Sequence, residues 1–233
     1  MKRFYKAVST NPTEGGWGVL LDDRPVLTPK RNALILPTQS LAEAIAAEWM
    51  IQDEDINLED LILTRKARAV IDLVRNDREG YVNGCLKYGE SDLVCYRADW
   101  PAGLIVRQSE SWDPIVDWAQ KNYDVAIIVM SGVMYRPQPE DSLKVFKNAM
   151  ERLNDWELLA LHSFVSTCGS LLIGLACFEG QLSIAKAVEA AELDIQWQLE
   201  DWGSDPEALK AHEDRIEAIE TDWRFLNLTR RDD

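Results

Sequence analysis

The sequence is poor in the residues that most often hold metal ions. It has two histidines, His162 and His212, and four cysteines without a single C-x-x-C pair, whereas structural zinc sites use closely spaced Cys or His ligands. His212-Glu213 begins like a zinc-binding helix motif, but Ile216 stands where the second histidine belongs. We therefore predict no metal site and expect each histidine to be a core residue that is hydrogen-bonded to a carboxylate or to the backbone.

Loops that cradle phosphate groups are also missing. Gly15-Gly16-Trp17-Gly18 places a tryptophan where a dinucleotide-binding loop needs close backbone approach, and no Gly-Lys-Thr or Gly-Lys-Ser occurs. The serines near His162 lie in one apolar run, with no G-x-S-x-G turn to expose a nucleophile. Close carboxylate pairs such as Asp113 and Asp117 are expected by chance in so acidic a chain. We predict no cofactor, no catalytic residue and no enzymatic activity.

Positive charge is in short supply. Lysine and arginine together number 25 against 40 acidic residues, which gives a formal net charge of -15 and a pI of about 4.6. Such a charge repels nucleic acid backbones and anionic membrane surfaces, so nucleic acid is excluded as a partner. Two readings of the acidity stay open, a solvated surface that keeps the protein soluble or a field that steers a basic partner.

No long apolar run is uninterrupted. The most apolar stretch, Leu158 to Phe178, approaches the length of a membrane span, but it contains His162, Ser163, Ser166, Thr167, Gly169 and Ser170. We predict a buried central helix that ends at Gly180, and no stable membrane insertion. The four cysteines, Cys85, Cys95, Cys168 and Cys177, are expected to be reduced, and the last two to act as small core hydrophobes.

The N-terminal part has the pattern of an antiparallel sheet. Gly16 to Leu21 predicts a strand, Asp22-Asp23 a turn and Arg24 to Leu27 a returning strand, with Ala33 to Leu36 as a third piece. The pattern becomes helical near residue 37. We predict an α+β fold, with a small β-rich N-terminal domain (1-78, including one or two helices) and a mainly helical C-terminal domain (79-233).

Helix signals recur from residue 38 onward. Thr38 is a predicted N-cap, followed by Leu41, Ile45 and Trp49 at helical spacing. Further predicted helices cover Leu61 to Val74, start at Asp113-Pro114 and at Pro139, run from Val188 to Trp202, and start again at Pro206.

The last two predicted helices are strongly acidic. Between Glu189 and Asp222, only Lys210 and Arg215 oppose a long series of acidic side chains. Because the apolar stripes pack inward, we expect this acidity to face outward, as a solvated face or as a landing surface for a partner. The tryptophans at 197, 202 and 223 would be natural interface anchors if they are exposed.

Motifs along most of the chain resemble one known family. The resemblance rests on Phe4-Tyr5-Lys6, Gly16-Trp17, Asp23-Arg24-Pro25-Val26, Thr28-Pro29, Leu36-Pro37-Thr38, Leu41 to Trp49, Leu63-Thr64-Arg65, Ile71-Asp72, Tyr88-Gly89, Asp92-Leu93, Cys95 to Ala98, Gln108, Trp112-Asp113-Pro114, Leu161-His162, Gly169-Ser170-Leu171, Gly174-Leu175-Ala176, Gln198, Glu200, Trp202-Gly203 and Asp205. This chain resembles the assembly chaperone of the F-type ATP synthase catalytic head that binds the alpha subunit, which is found in mitochondria and in some bacteria.

The resemblance implies a two-domain protein that acts without catalysis. It implies that the free alpha subunit is held, with its subunit interface covered, until the beta subunit replaces the chaperone. Glu200, Trp202 and Asp205 match the family's acidic segment and are the partner-binding residues it implies. The polar residues Met1 to Pro12 do not have an organelle-targeting pattern, so we expect a bacterial, cytoplasmic member of that family, and we expect it to be monomeric when free.

Two other classes of function stay open on the residues alone. One is an enzyme with a small active site between the two domains, which polar groups with shifted pKa values in a pocket would indicate. The other is a general holdase, which would bind many clients instead of one.

Overall fold

The computed structural model describes residues 2-132, 134, 136-202 and 206-230, with the backbone alone for 201 and 202. Its elements are, in order, β1 (Val8–Thr13), β2 (Gly16–Leu21), β3 (Arg24–Pro25), α1 (Gln39–Met50), α2 (Ile62–Asp72), α3 (Arg78–Glu90), β4 (Tyr96–Arg97), α4 (Ala102–Tyr123), β5 (Met130–Ser131), α5 (Glu140–Glu151), α6 (Asp155–Cys168), α7 (Leu171–Phe178), α8 (Ile184–Ala191), α9 (Leu193–Trp202) and α10 (Pro206–Thr229). Short 3-10 helices cover Val74–Asn76 and Leu93–Cys95. The predicted α+β class is confirmed.

The chain divides into two compact units. The first unit contains Met1–Arg78, Asp155–Leu159 and Arg224–Asp233, and the second contains Glu79–Asn154 and Ala160–Trp223. A packing unit is not the same as an independently folding domain, so the domain limits 1-78 and 79-233 stay a prediction.

In the first unit, β1, β2 and β3 form an antiparallel sheet. β1 pairs with β2 from Val8↔Leu21 to Thr13↔Gly16. Asp22 and Asp23 both adopt positive φ in the turn to β3, with values of 47° and 64°. The Asp22 carboxylate accepts hydrogen bonds from the amides of Ala7 and Lys6, which lower its pKa and fix the turn against the chain before β1.

Helix α1 packs against this sheet. The Thr38 hydroxyl accepts a hydrogen bond from the amide of Leu41 at 3.1 Å, so the predicted N-cap is confirmed. Leu41, Ile45 and Trp49 are buried, as their spacing predicted. The Glu48 carboxylate accepts hydrogen bonds from the first amides of α2, where the positive end of the helix dipole favours an anion.

The second unit is built around α7, whose eight residues are all buried. The prediction of one helix through this apolar run is wrong, because the run is divided into α6 and α7. Gly169 turns the chain with φ of +66°, and the Ser170 hydroxyl then caps α7 by accepting from the amide of Ile173 at 3.0 Å. A Cβ on Gly174 would lie 2.9 Å from backbone atoms of Val165, so α7 folds back in close contact with α6.

Two further helix limits differ from prediction. Asp113-Pro114 does not start a helix, because α4 begins at Ala102 and continues through Pro114. A proline inside a helix costs about 3 kcal/mol. Trp112, Ile115 and Val116 are buried on either side of Pro114, and we attribute the tolerance of this cost to their packing.

The predicted helix from Val188 to Trp202 is likewise divided at Glu192, between α8 and α9. The start of α10 at Pro206 agrees with prediction. Within the described ranges, no helix combines the length and the apolar character needed to cross a membrane.

Candidate functional site

Only one of the three predicted partner-binding residues has a described side chain. Glu200 is exposed on α9, and both its carboxylate oxygens accept from the Arg107 guanidinium of α4, at 2.7 and 2.8 Å. Trp202 ends α9, but its side chain lies outside the described part of the structure, as does the whole of Asp205. Whether the three act together stays a prediction.

Arg107 also contacts an indole ring. Its guanidinium carbon lies 5.9 Å from the ring centroid of Trp197, within the range of a cation–π contact. A Cβ on Gly103 would lie 2.7 Å from Cη2 of the same indole, so α4 approaches α9 closely because residue 103 has no side chain. We call Arg107, Trp197 and Glu200 the outer brace, and it joins α4 to α9 at the protein surface.

A second arginine of this unit has a similar set of partners but is buried. Arg97 donates from Nε to the Val94 carbonyl at 2.7 Å and from Nη1 to the Gln108 carbonyl at 2.9 Å. Its guanidinium carbon lies 5.1 Å from the Trp112 ring centroid, and Nη2 lies 3.0 Å from Asp113 Oδ1. Burial lowers the pKa of Arg97, and the Asp113 carboxylate opposes this. We call Arg97, Trp112 and Asp113 the inner cluster.

Asp92 extends the inner cluster towards α7. It is completely buried, and its carboxylate accepts hydrogen bonds from the Ser170 hydroxyl (2.6 Å), the Leu172 amide (3.0 Å) and the Val94 amide (3.2 Å). Burial raises the pKa of Asp92 to about 6, although these hydrogen bonds to the carboxylate act in the other direction. The carboxylate therefore fixes the start of α7 to the 3-10 helix Leu93–Cys95.

The predicted outward acidity is wrong for Glu192, and Asp222, at the end of that segment, does not face outward either. Glu192 and Asp222 are buried, at 4% and 3% exposure. Glu192 interacts with Nδ1 of His212 and accepts from Nη1 of Arg215 at 2.6 Å, so its charge fixes α10 by paired contacts that offset the cost of burial. The expected carboxylate partner is confirmed for His212, but the expected core position is wrong, because its side chain is 31% exposed.

A cleft of about 350 Å³ opens beside the start of α4. Its lining includes Trp100 and Trp197, and the Trp100 side chain is 80% exposed. Sequence reasoning named Trp197 as a conditional anchor but missed Trp100. The signal was present, since Trp100 lies between Asp99 and Pro101 just before a helix, where an indole has few neighbours to pack against.

The cysteines offer no reactive thiolate. All four are buried and free, and burial raises the pKa to about 12 for Cys85, Cys95 and Cys168 and to about 11 for Cys177. Among the residues whose placement is described, no group of three His, Cys, Asp or Glu side chains is arranged to hold a metal ion.

Comparison with known proteins identifies the family. The family model for the ATP12 chaperone protein matches residues 2-120. The mitochondrial protein atp12 of Schizosaccharomyces pombe is 23% identical over 215 residues, which cover 87% of this chain and 74% of that protein.

Solved structures match over almost the whole chain. The crystal structure of Atp12 from Paracoccus denitrificans is 38% identical, covers 98% of both chains and superposes with a TM-score of 0.94; an aspartate-to-lysine mutant of that protein gives the same score at 37% identity. An Agrobacterium tumefaciens protein described as a chaperone candidate is 35% identical over 98% of this chain and 86% of its own, with a TM-score of 0.92. This chain is therefore a bacterial member of the ATP12 family of assembly chaperones.

Proposed function

We propose that this protein binds the free alpha subunit of the F-type ATP synthase and covers its subunit interface until the beta subunit takes its place. The observation that carries the proposal is the match to Atp12 of Paracoccus denitrificans over 98% of both chains. The protein acts in the cytoplasm as a monomer, by binding and not by catalysis.

The physical need for such a chaperone follows from the client. A subunit of an obligate oligomer exposes a large apolar interface before it assembles, and that surface favours aggregation. A chaperone that covers this surface must bind it with useful affinity, but more weakly than the beta subunit does. This requirement favours an interface of mixed polar and apolar character. The α4–α9 face has this character, with exposed acids beside indole rings.

Glu200, Trp202 and Asp205 are the proposed partner-binding residues. Glu200 is bound to Arg107, so in the free protein its charge is partly neutralised. A client that contacts Glu200 competes with Arg107 for the carboxylate. Such competition suits a chaperone whose contacts must be released later.

A pull-down from the native cytoplasm tests the client. The tagged protein is expected to retain one dominant protein, the ATP synthase alpha subunit, without the beta subunit, as identified by mass spectrometry. A broad set of unrelated proteins would indicate a general holdase and overturn the proposal. An empty eluate would also overturn it and would favour an enzyme.

Charge reversal tests the proposed residues. We expect the double variant Glu200→Lys and Asp205→Lys to bind the alpha subunit at least about 10-fold more weakly, as expected for loss of interface anchors. Glu213→Lys and Glu217→Lys on α10 are the matched control, since both are exposed and the charge change is the same. Equal affinity in a folded Glu200/Asp205 variant would contradict this assignment.

A further inference from the structure

The cleft beside α4 has an unusual lining for a protein surface. It is bounded by Trp100 and Trp197, by the carboxylates of Asp99 and Asp194, and by Tyr96 and Leu104. Trp100 is 80% exposed, although burying an indole normally contributes more than burying most other side chains. The Tyr96 hydroxyl is buried and has no hydrogen-bond partner among the described residues. The exposed indole indicates a surface that a ligand completes.

The charges accessible in this cleft are negative. Arg97 is the one cationic residue among the described lining, and it is bound to the Val94 and Gln108 carbonyls and to Asp113. Asp194 accepts a hydrogen bond from the Gln108 side chain at 2.8 Å, through one of its oxygens. The Asp99 side chain is exposed, with Oδ2 only 3.5 Å from the position a Cβ would take on Gly132. Because Gly132 lines the cleft too, this carboxylate lies at its rim.

The protein itself shows what an indole beside a carboxylate binds. In the inner cluster and in the outer brace, an arginine guanidinium lies within 6 Å of an indole centroid and interacts with a carboxylate. The indole face attracts the cation through its quadrupole, and the carboxylate attracts the same cation through its negative charge. Trp100, Asp99 and Asp194 repeat this combination in the cleft. Among the described lining residues no accessible cation of the chain completes it, and the neighbouring Arg107 already contacts Trp197 and is paired with Glu200.

We propose that this cleft binds a cationic side chain, an arginine in the first instance, that projects from the surface of the client protein. The identity of the client rests on the proposed function, whereas the chemistry of the cleft does not. Arginine is favoured over lysine because its planar guanidinium stacks on indoles and pairs with carboxylates through two donors. The net charge of -15 adds a long-range attraction for the same group.

A small-molecule titration tests the cleft without any client. Arginine amide is added to the whole protein, and the indole N–H resonances are followed by NMR. Citrulline amide is the control, since it keeps the α-amino group and nearly the same shape but has a neutral urea in place of the guanidinium. We expect saturable shifts of the Trp100 and Trp197 resonances with arginine amide, at concentrations on the order of millimolar, because one cation–π contact and one exposed ion pair are individually weak. Absent shifts, or equal shifts with citrulline amide, would overturn the proposal.

Variants then connect the cleft to the client. Trp100→Ala should abolish the arginine amide shift of Trp197, and Asp99→Asn should abolish the shifts of both indoles. Trp100→Ala should also weaken binding of purified alpha subunit by about 10-fold or more. Phe4→Ala and Asp117→Asn are matched controls, since Phe4 is 65% exposed, Asp117 is exposed, and neither lines the cleft. Both controls should bind like the unaltered protein.

The two proposals fail in different ways. If the unaltered protein does not bind the alpha subunit but arginine amide still shifts the two indoles, the proposed function is wrong and the cleft chemistry stands. If the alpha subunit binds and the Trp100 and Asp99 variants bind it as well as the controls do, the cleft does not take the client's cation, whatever the outcome of the titration.

Discussion

The inner cluster and the outer brace combine the same three chemical groups in very different surroundings. The Arg97 side chain is 7% exposed and donates to two backbone carbonyls, whereas Arg107 is 41% exposed; their carboxylate partners, Asp113 and Glu200, are alike at 56% and 58% exposure. Water competes for every contact of the outer brace, whereas in the inner cluster it reaches the Asp113 carboxylate but not the two carbonyl contacts of Arg97. The same guanidinium–indole–carboxylate chemistry should therefore stabilise the fold in one place and remain exchangeable in the other.

The largest effect is expected at the buried arginine. Arg97→Ala leaves the Val94 and Gln108 carbonyls without their donors and removes the cation from the Trp112 ring. We expect the free energy of unfolding to fall by about 3-5 kcal/mol, as for loss of charged partners at buried acceptors. Urea denaturation measures it, with Arg107→Ala as the matched variant of the outer brace. A loss below about 1 kcal/mol would remove the distinction between the two arginines.

Asp92 should make the inner region sensitive to pH. Its pKa of about 6 in the folded protein lies above the ordinary value of 3.8, so the folded state binds the proton more tightly than the unfolded state. The stability from this proton is present in full below about pH 4 and is lost as pH rises through 6. The shift corresponds to about 3 kcal/mol.

A variant that cannot ionise isolates this contribution. We expect the unaltered protein to lose unfolding free energy relative to the Asp92→Asn variant as the pH rises from 4 to 7. This change does not depend on which of the two proteins is the more stable. Chemical denaturation across that range measures the difference. A difference independent of pH would mean that the Asp92 carboxyl has an ordinary pKa in the fold.

The smallest effect is expected in the outer brace. Glu200→Gln removes one charge from an exposed ion pair, so the free energy of unfolding should change by about 0.5 kcal/mol or less, and the change should shrink further as salt screens the pair. Thermal unfolding at low and high salt checks this. A loss above about 2 kcal/mol would place the outer brace with the inner cluster as a structural element.

Local patterns predicted the elements that local physics determines. Thr38 caps α1, and Leu41, Ile45 and Trp49 are buried, because the cap and the stripe lie within a few turns of one helix. The division of α6 from α7 was not predicted, since the acid that fixes the start of α7 is Asp92, 78 residues before Ser170. The helix start proposed at Pro114 failed because tertiary packing outweighed a local preference.

The candidate site was harder to predict from the sequence, because its contacts also join residues that are far apart along the chain. The partner of Glu200 is Arg107, 93 residues away, and nothing near Glu200 in the sequence indicates it. The buried acids show the opposite error, since Glu192 belongs to an acidic segment and is covered only because His212 and Arg215 pair with it. Exposure of Trp100 depends on which elements leave it uncovered, which is a property of the fold.

The contact between α6 and α7 limits how this chain can vary. Most positions of that apolar stretch could exchange one aliphatic side chain for another of similar volume. Gly169 and Gly174 differ, the first because of its backbone dihedral angle and the second because Val165 leaves no space for a methyl group. Leucine, isoleucine and valine can therefore replace one another along this stretch, whereas position 174 is held to glycine and position 169 to glycine or a residue such as asparagine or aspartate that tolerates a positive φ.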